Sequence, residues 1–151
     1  MSRGLRVEGS GFRVQGSGFR NLRSEMSFQS FEELQVWKRG KDLAVFVYQA
    51  LGNCRDFGMR DQMQRASVSI PSNIAEGYER PPKDFARFLA IAIGSSSELR
   101  TQTYIASELQ IISQQNADHI IEESKQLNRM MRALAKAQLR KLPPKPNGPE
   151  P

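Results

Sequence analysis

The chain has 151 residues, of which 38% are hydrophobic and 25% are charged, so it has the apolar material for one domain with a modest core. Its formal net charge of +6 favours acidic partners such as nucleic acid or an anionic surface. One cysteine and one histidine exclude an intrachain disulfide and leave almost nothing from which to build a zinc site or a histidine-based catalytic centre. We therefore expect a cytoplasmic protein with no metal or cofactor. The longest apolar run, residues 88–93, is far too short to span a bilayer, so we expect no membrane partner.

Both ends of the chain lack the pattern of a folded domain. Residues 6–19 repeat the heptapeptide RVEGSGF as RVQGSGF, and their glycine and serine content disfavours helix and strand alike. Residues 143–151 include five prolines, which favours an extended tail. The near-exact repeat also suggests Met26 as the natural start, a hypothesis that the intact mass of the native protein would decide. We predict a disordered arm over residues 1–27, a folded domain over 28–141 and a disordered tail over 142–151.

The first predicted helix lies in residues 31–52. Apolar residues recur there at spacings of three and four in two adjoining stripes, which is typical of a helix with a broad buried face. Gly52 and Asn53 are suited to end this helix. Trp37 falls on the inner stripe, so we assign it to the core and not to an exposed platform for base stacking.

The second predicted helix spans residues 58–78 and contains Pro71. Two apolar stripes keep the same helical spacing before and after the proline. A new element that started at the proline would have no reason to continue that spacing. Proline removes one backbone hydrogen bond, so we predict a kink at Pro71. We expect Ser67 and Ser69 to help satisfy the freed backbone groups. The alternative is a helix break at Ile70.

The third predicted helix begins at the Pro81-Pro82 pair. Apolar and small residues then repeat at alternating spacings of four and three from Phe85 to Ala106. The centre of this pattern, residues 94–97, has only small side chains, and their low helix propensity predicts a compensating close approach by another helix. We expect that neighbour to be a second subunit or the section around Ser69, Ser72 and Asn73.

The fourth predicted helix begins after Asn116, which would be its N-cap, and runs to about Lys141. Four amphipathic helices with short links, and no alternating strand pattern, predict an all-α fold, namely an up-down antiparallel four-helix bundle. The inner face of the last helix is marked by Ile120, Ser124, Leu127, Met131 and Leu134.

Three segments together resemble a known family. The segments FEELQVWKRGKDLAVFVY, QMQRASVSIPSNIAEGYER and FARFLAIAIGSSSEL resemble, in this order, the four-helix bundle family of 23S rRNA intervening-sequence proteins, over about residues 28–112. The resemblance implies a left-handed bundle that assembles as a ring-like homopentamer, with no established catalytic activity. The family is similar to the accessory variability protein of diversity-generating retroelements, which binds nucleic acid and a reverse transcriptase. Family members often have a Gly-Arg pair and a serine where this chain has Tyr78-Glu79 and two prolines, so the geometry of the second connection stays open.

A basic stripe on the fourth helix is the first candidate site. The helix dipole favours cations only within the last turn, so it does not account for the first two members of the stripe. Two interpretations stay open: a solvated helix face, or a row of contacts to RNA or DNA phosphates that an oligomer would repeat. The members recur at spacings of four, three, four and four and so share one face; they are Lys125, Arg129, Arg132, Lys136 and Arg140.

A second candidate lies in the segments that carry the resemblance. Asn73, Glu76 and Arg80 would share one face of the second helix, with Arg65 close to it. Glu76 could act as a general base, but no nucleophile or metal partner stands near it in the sequence. We therefore favour a polar network that sets helix register or a subunit contact. Its members would be Arg65, Ser69, Pro71, Asn73, Glu76, Arg80, Gly94, Ser95 and Glu98.

These patterns, with the resemblance, predict a non-enzymatic bundle that associates with itself as a homopentamer and binds RNA or DNA through its basic face. The alternative is a protein-binding adaptor, for example of a reverse transcriptase, without a direct nucleic-acid role. A hydrolase or transferase is disfavoured because the sequence has no catalytic constellation.

Overall fold

The computed structural model describes residues 29–145, so the predicted arm and the tail beyond residue 145 lie outside the described part. The described chain has no strand, and none of its helices has an apolar stretch long enough to cross a bilayer. All four predicted helices are confirmed, each within a few residues of its expected bounds. A short 3-10 turn, Phe31–Glu33, precedes α1 Gln35–Ala50, α2 Phe57–Tyr78, α3 Pro82–Glu108 and α4 Gln114–Leu139.

Consecutive helices pack side by side and close into a bundle, in which α4 returns to contact α1. Ser69 of α2 faces Ser95 of α3, whereas Gly77, further along α2, faces the earlier residue Phe88, so these two helices run in opposite directions. The α1–α4 side is the most loosely packed of the four. It is bridged by Arg39 Nε, which donates to Glu123 Oε1 at 2.6 Å. The predicted up-down bundle is therefore the observed architecture.

The core is formed largely by the helix faces that the periodicity indicated, although Tyr48 and Val68, which fall on the predicted apolar stripes of α1 and α2, are exposed. The inward positions of α3 are buried from Phe85 to Ala106. The predicted inner face of α4 is also buried, apart from the half-buried Leu134. Trp37 is half-buried against the core and packs edge-on against Phe31, with ring centroids 5.2 Å apart. Its assignment to the core is thus confirmed, while full burial of a side chain such as Leu43 or Leu89 contributes about 1.5–3 kcal/mol.

Helix α2 continues through Pro71 without interruption, so the predicted single helix is confirmed and the alternative break at Ile70 is wrong. The proline is buried on the side that faces α1. There, a β-carbon on Gly40 would lie 3.7 Å from the proline ring and 3.4 Å from Ile70 Cγ2. The missing side chain of Gly40 therefore lets α1 approach the proline closely, while the kink itself stays a prediction.

Carbonyl groups in the turn before Pro71 accept hydrogen bonds from side chains that follow the proline. Ser72 Oγ donates to Val68 O, and Asn73 Nδ2 donates to Ser69 O, each at 2.8 Å. The predicted Ser67 and Ser69 serve elsewhere, since the Ser67 hydroxyl donates to the Gln64 carbonyl and the Ser69 hydroxyl contacts α3. Side chains of a helix point towards its N-terminus, so Ser72 and Asn73 reach the carbonyls four residues earlier, whereas the carbonyl that Pro71 leaves without its backbone donor is that of Ser67.

The predicted close approach at residues 94–97 occurs at the serines and not at the glycine. A β-carbon on Gly94 would meet nothing within 4 Å. Ser95 Oγ lies 2.8 Å from Ser69 Oγ of α2, as expected, and Ser96 Oγ donates to the Ser124 carbonyl of α4 at 3.2 Å. Each residue turns the helix by about 100°, so Gly94 points outwards while the next two residues point towards neighbouring helices.

Helix α4 begins three residues earlier than predicted. Ser113 is its N-cap, and the Ser113 hydroxyl accepts a hydrogen bond from Asn116 N at 3.2 Å. Asn116 therefore lies inside the first turn. The chain reaches this cap through Gln110, whose φ of 57° reverses its direction after α3. Serine and asparagine are equally good caps, so propensity alone could not choose between the two positions.

Removal of each candidate cap distinguishes the two assignments. Ser113→Ala is expected to lower the free energy of unfolding by about 1 kcal/mol, because an N–H group of the first turn loses its acceptor. Asn116→Ala is the matched control and is expected to change it by less than about 0.5 kcal/mol. Urea unfolding of both variants measures the two values, and a larger decrease from Asn116→Ala would contradict the cap assignment.

Candidate nucleic-acid interface

The predicted basic stripe lies on the outer face of α4. The opposite face is held in the core by Leu127 and Met131, which are both fully buried. At 1.5 Å per residue, the stripe extends about 22 Å along the helix. The continuous helix brings all five predicted members onto one face: Lys125, Arg129, Arg132, Lys136 and, at the C-cap, Arg140.

Lys125 differs from the rest of the stripe because it has an acidic partner. Its Nζ lies 2.8 Å from Glu122 Oε1. This hydrogen bond, together with the charge of Glu122, raises the pKa of Lys125, and the same contact lowers the pKa of the Glu122 carboxyl. Both groups are therefore charged at neutral pH, and the negative charge of Glu122 largely balances the positive charge of Lys125.

The other four cations of the stripe are exposed and form no ion pair with any residue between 29 and 145. The chain has no acidic residue from Lys125 to Lys141, so positive charge predominates on this half of α4. Arg129 lies near enough to Glu122 for its charge to lower the pKa of that carboxyl. Arg100 of α3 lies near enough for its charge to lower the pKa of Lys125. The positive surface thus continues onto α3, which the sequence could not show because it depends on how α3 and α4 are paired.

An apolar groove runs beside the unpaired cations, between the first half of α3 and the second half of α4. Its volume is about 480 Å³. Arg132, Lys136 and Arg140 line the groove with their charged side chains, and no acidic residue lines it. Sequence analysis did not find this groove, because it exists only where two helices meet in a particular register. Its floor is made of Ala86, Ala90, Ile93, Ala135 and Leu139.

The second candidate, the polar network, is assembled in part. Asn73 Nδ2 donates to the backbone oxygen and to the hydroxyl of Ser69, at 2.8 and 2.9 Å. The Ser69 hydroxyl lies 2.8 Å from the Ser95 hydroxyl. All three residues are half-buried between α2 and α3. Of these hydrogen bonds, the Ser69–Ser95 contact joins the two helices and so depends on their register, whereas the Asn73–Ser69 bonds lie within α2.

The other predicted members of the network lie apart from these three residues. Glu76 forms an exposed ion pair with Arg80, at 3.5 Å, and such pairs contribute little to stability. Glu98 accepts a hydrogen bond from Gln102 Nε2 at 3.2 Å. Arg65 and Gly94 are exposed, and Pro71 packs towards α1.

The side chains with the most reactive chemistry make structural contacts. The His119 ring lies against Phe46, with centroids 4.3 Å apart, and Cys54 Sγ donates to the Asp56 carbonyl at 3.4 Å. Within residues 29–145, no group of three or more His, Cys, Asp or Glu side chains is placed to hold a metal ion.

The comparisons with known proteins agree with this fold. The family model of the 23S rRNA-intervening sequence protein matches residues 32–133, so the chain belongs to this family. A crystal structure at 1.70 Å resolution of a protein with unknown function, from the S23 ribosomal protein family of Bacteroides thetaiotaomicron, has the same fold. It is 24% identical over 67% of this chain and 98% of that one, with a TM-score of 0.63. No curated protein matches the chain.

Proposed function

We propose that this protein is a non-enzymatic, self-associating bundle that binds nucleic acid through the basic stripe of α4. The observation that carries this proposal is the row of four exposed cations on one helix face, none of which forms an ion pair within the described chain. Lysine and arginine contacts to phosphates release counterions and give affinity with little sequence preference. The family's name associates it with 23S rRNA, so RNA is the first ligand to test.

A merely solvated face accounts less well for this arrangement. Arg132, Lys136 and Arg140 are spaced by four residues, so each repels the next. Like charges at this spacing destabilise a helix by about 0.2–0.5 kcal/mol per pair. An anionic ligand along the stripe would offset that repulsion, and in an oligomer several weak copies of the site would bind one long ligand with high avidity.

We propose that the copies associate through an apolar face formed by α1 and α2. Val45, Tyr48 and Val68 are 51%, 49% and 42% exposed, and they surround a groove of about 460 Å³ whose surface is almost wholly apolar. Contiguous exposed apolar surface of this kind marks interaction sites. Ile91 and Ile105 are also exposed on α3, but they lie 14 residues, or about 21 Å, apart along the helix and so do not form one patch. The resemblance implies a homopentamer, in which the face on α1 and α2 would make a head-to-tail contact with a different surface of the next copy, because such contacts close into rings.

Neutralising the unpaired part of the stripe tests the nucleic-acid role. The variant Arg129→Gln, Arg132→Gln, Lys136→Gln is expected to bind RNA at least about tenfold more weakly at low salt, because three cations in each chain no longer meet phosphates. A gel shift with a labelled RNA measures this weakening. The slope of log affinity against log salt concentration is expected to become shallower by about 0.7–0.9 for each phosphate that the variant no longer neutralises.

A matched control removes the same charge from other exposed positions. The variant Lys38→Gln, Arg55→Gln, Arg65→Gln changes exposed positions on α1, the following loop and α2, and it also takes three positive charges from the net +6. Equal weakening by this control would mean that net charge, and not the stripe, attracts RNA. If the unmutated protein gives no shift at low salt, the nucleic-acid proposal is wrong. The adaptor role would then be tested by recovering a stoichiometric protein partner from native cells.

A further inference from the structure

We infer that the ligand of the basic stripe is a single-stranded nucleic acid, with its phosphates on Arg132, Lys136 and Arg140 and its bases over the apolar groove between α3 and α4. This inference rests on the proposed function, because it names the class of nucleic acid that the same surface binds. It starts from the position of the groove, whose cations and apolar floor belong to one continuous surface.

The groove matches a ligand that has charge along one edge and apolar faces beside it. The three cations follow one another at intervals of four residues, about 6 Å apart along the α4 axis. Arg129 continues the same row beyond the groove. A row of this kind matches a ligand whose backbone has negative charges at regular intervals. The floor next to it lies on the α3 side, so groups attached to that backbone would lie across Ala86, Ala90 and Ile93.

The apolar floor distinguishes single strands from duplexes. In a duplex the faces of the bases are stacked inside, and only phosphates and groove edges reach a flat protein surface, so the floor would contribute nothing. In a single strand the base faces are free to cover apolar side chains, and known single-strand sites use this freedom to stack bases on aromatic side chains with little sequence preference. A base that covers Leu139, which is 49% exposed, removes apolar surface from water and so contributes to the binding free energy.

The side chains of the floor suit flat rings. Three of the five floor residues are alanines, so a planar base can approach both helices closely without meeting a long side chain. The guanidinium planes of Arg132 and Arg140 can stack on bases while they remain close to phosphates. The site therefore differs from aromatic stacking platforms, and we expect a moderate gain in affinity for each base and little sequence preference.

Charge alone predicts the opposite order of affinities, which makes the inference testable. A duplex has one negative charge per about 1.7 Å of axis, against about 3.4 Å for one strand, so a site that binds only phosphates prefers the duplex. We expect the full-length protein to bind a short labelled RNA of non-self-complementary sequence about tenfold more tightly than the same RNA annealed to its complement. Fluorescence anisotropy at one salt concentration measures both affinities.

A groove variant of unchanged charge completes the test. Ala90→Gln with Leu139→Gln puts polar side chains across the floor at two exposed helical positions, and it is expected to weaken single-strand binding about fivefold while leaving duplex binding unchanged. The matched control is Ala137→Gln with Leu109→Gln, two exposed residues that do not line the groove, and it is expected to change neither affinity.

The outcomes separate this inference from the proposed function. Duplex binding that equals or exceeds single-strand binding, with a neutral groove variant, would overturn the inference and leave the proposed function standing. The absence of binding to either RNA would overturn both. Displacement of the single strand by a polyglutamate peptide of equal charge, at equal concentration, would also overturn the inference, since the surface would then recognise charge without using its floor.

Discussion

Gly77→Ala is expected to lower the free energy of unfolding by about 1–2 kcal/mol, although alanine is the better helix former. Gly77 is buried near the end of α2, where a β-carbon would lie 2.6 Å from Phe88 Cβ and 2.9 Å from Phe85 Cδ2 of α3. The Phe88 β-carbon is fixed to its backbone, so it cannot swing aside, and the two helices would have to separate. Overpacking of this kind costs about 1–3 kcal/mol and outweighs a gain in helix propensity of about 0.5–1 kcal/mol.

Gly94→Ala is the matched control, because it makes the same change in the interior of a helix. A β-carbon at this position meets nothing within 4 Å, so the control is expected to raise the free energy of unfolding by about 0.5–1 kcal/mol. Urea unfolding of both variants gives the sign of each change in the free energy of unfolding. A neutral Gly77→Ala would contradict the close approach of α2 and α3. A destabilising Gly94→Ala would show that another chain covers the outer side of α3.

Val45→Glu with Val68→Glu is expected to convert the assembly into monomers. Both valines lie on the exposed apolar face of α1 and α2, and in an association through this face their carboxylates would be buried without a partner. An isolated buried charge is far more costly than the hydrophobic contact that it replaces, and a ring repeats this cost at every interface. Light scattering is expected to show a mass near five chains for the unmutated protein and near one chain for the variant.

A control with the same added charge tests whether the effect belongs to this face. Ala133→Glu with Ala137→Glu places two carboxylates at exposed positions of α4 and is expected to leave the mass unchanged. Circular dichroism checks that all variants keep their helices, as expected from the half-exposed positions of both valines. An unchanged mass for the valine variant would place the contact elsewhere on the molecule. A monomeric unmutated protein would reject self-association altogether.

Much of the candidate interface could be predicted from the sequence, because it lies on one helix. The alignment of Lys125 and Arg140 requires only that α4 is continuous between them, which the spacing of its buried residues already indicated. The pairing of Lys125 with Glu122, three residues earlier, is local in the same way. The groove beside the stripe was not predictable, because its floor comes from two helices whose register the sequence does not state.

The amino-acid sequence by itself determined where each helix lies, to within a few residues, and most of the face that each helix buries. These properties depend on backbone geometry and on hydrophobicity within about one turn, and even Pro71 did not interrupt them. The tertiary structure alone decided what lies opposite each face: Phe88 against Gly77, nothing within the described chain against Gly94, and α3 alanines beside the cations of α4. The physical reason is that periodicity orients side chains about their own helix axis, whereas the rotation and register of neighbouring helices follow from packing the whole core at once.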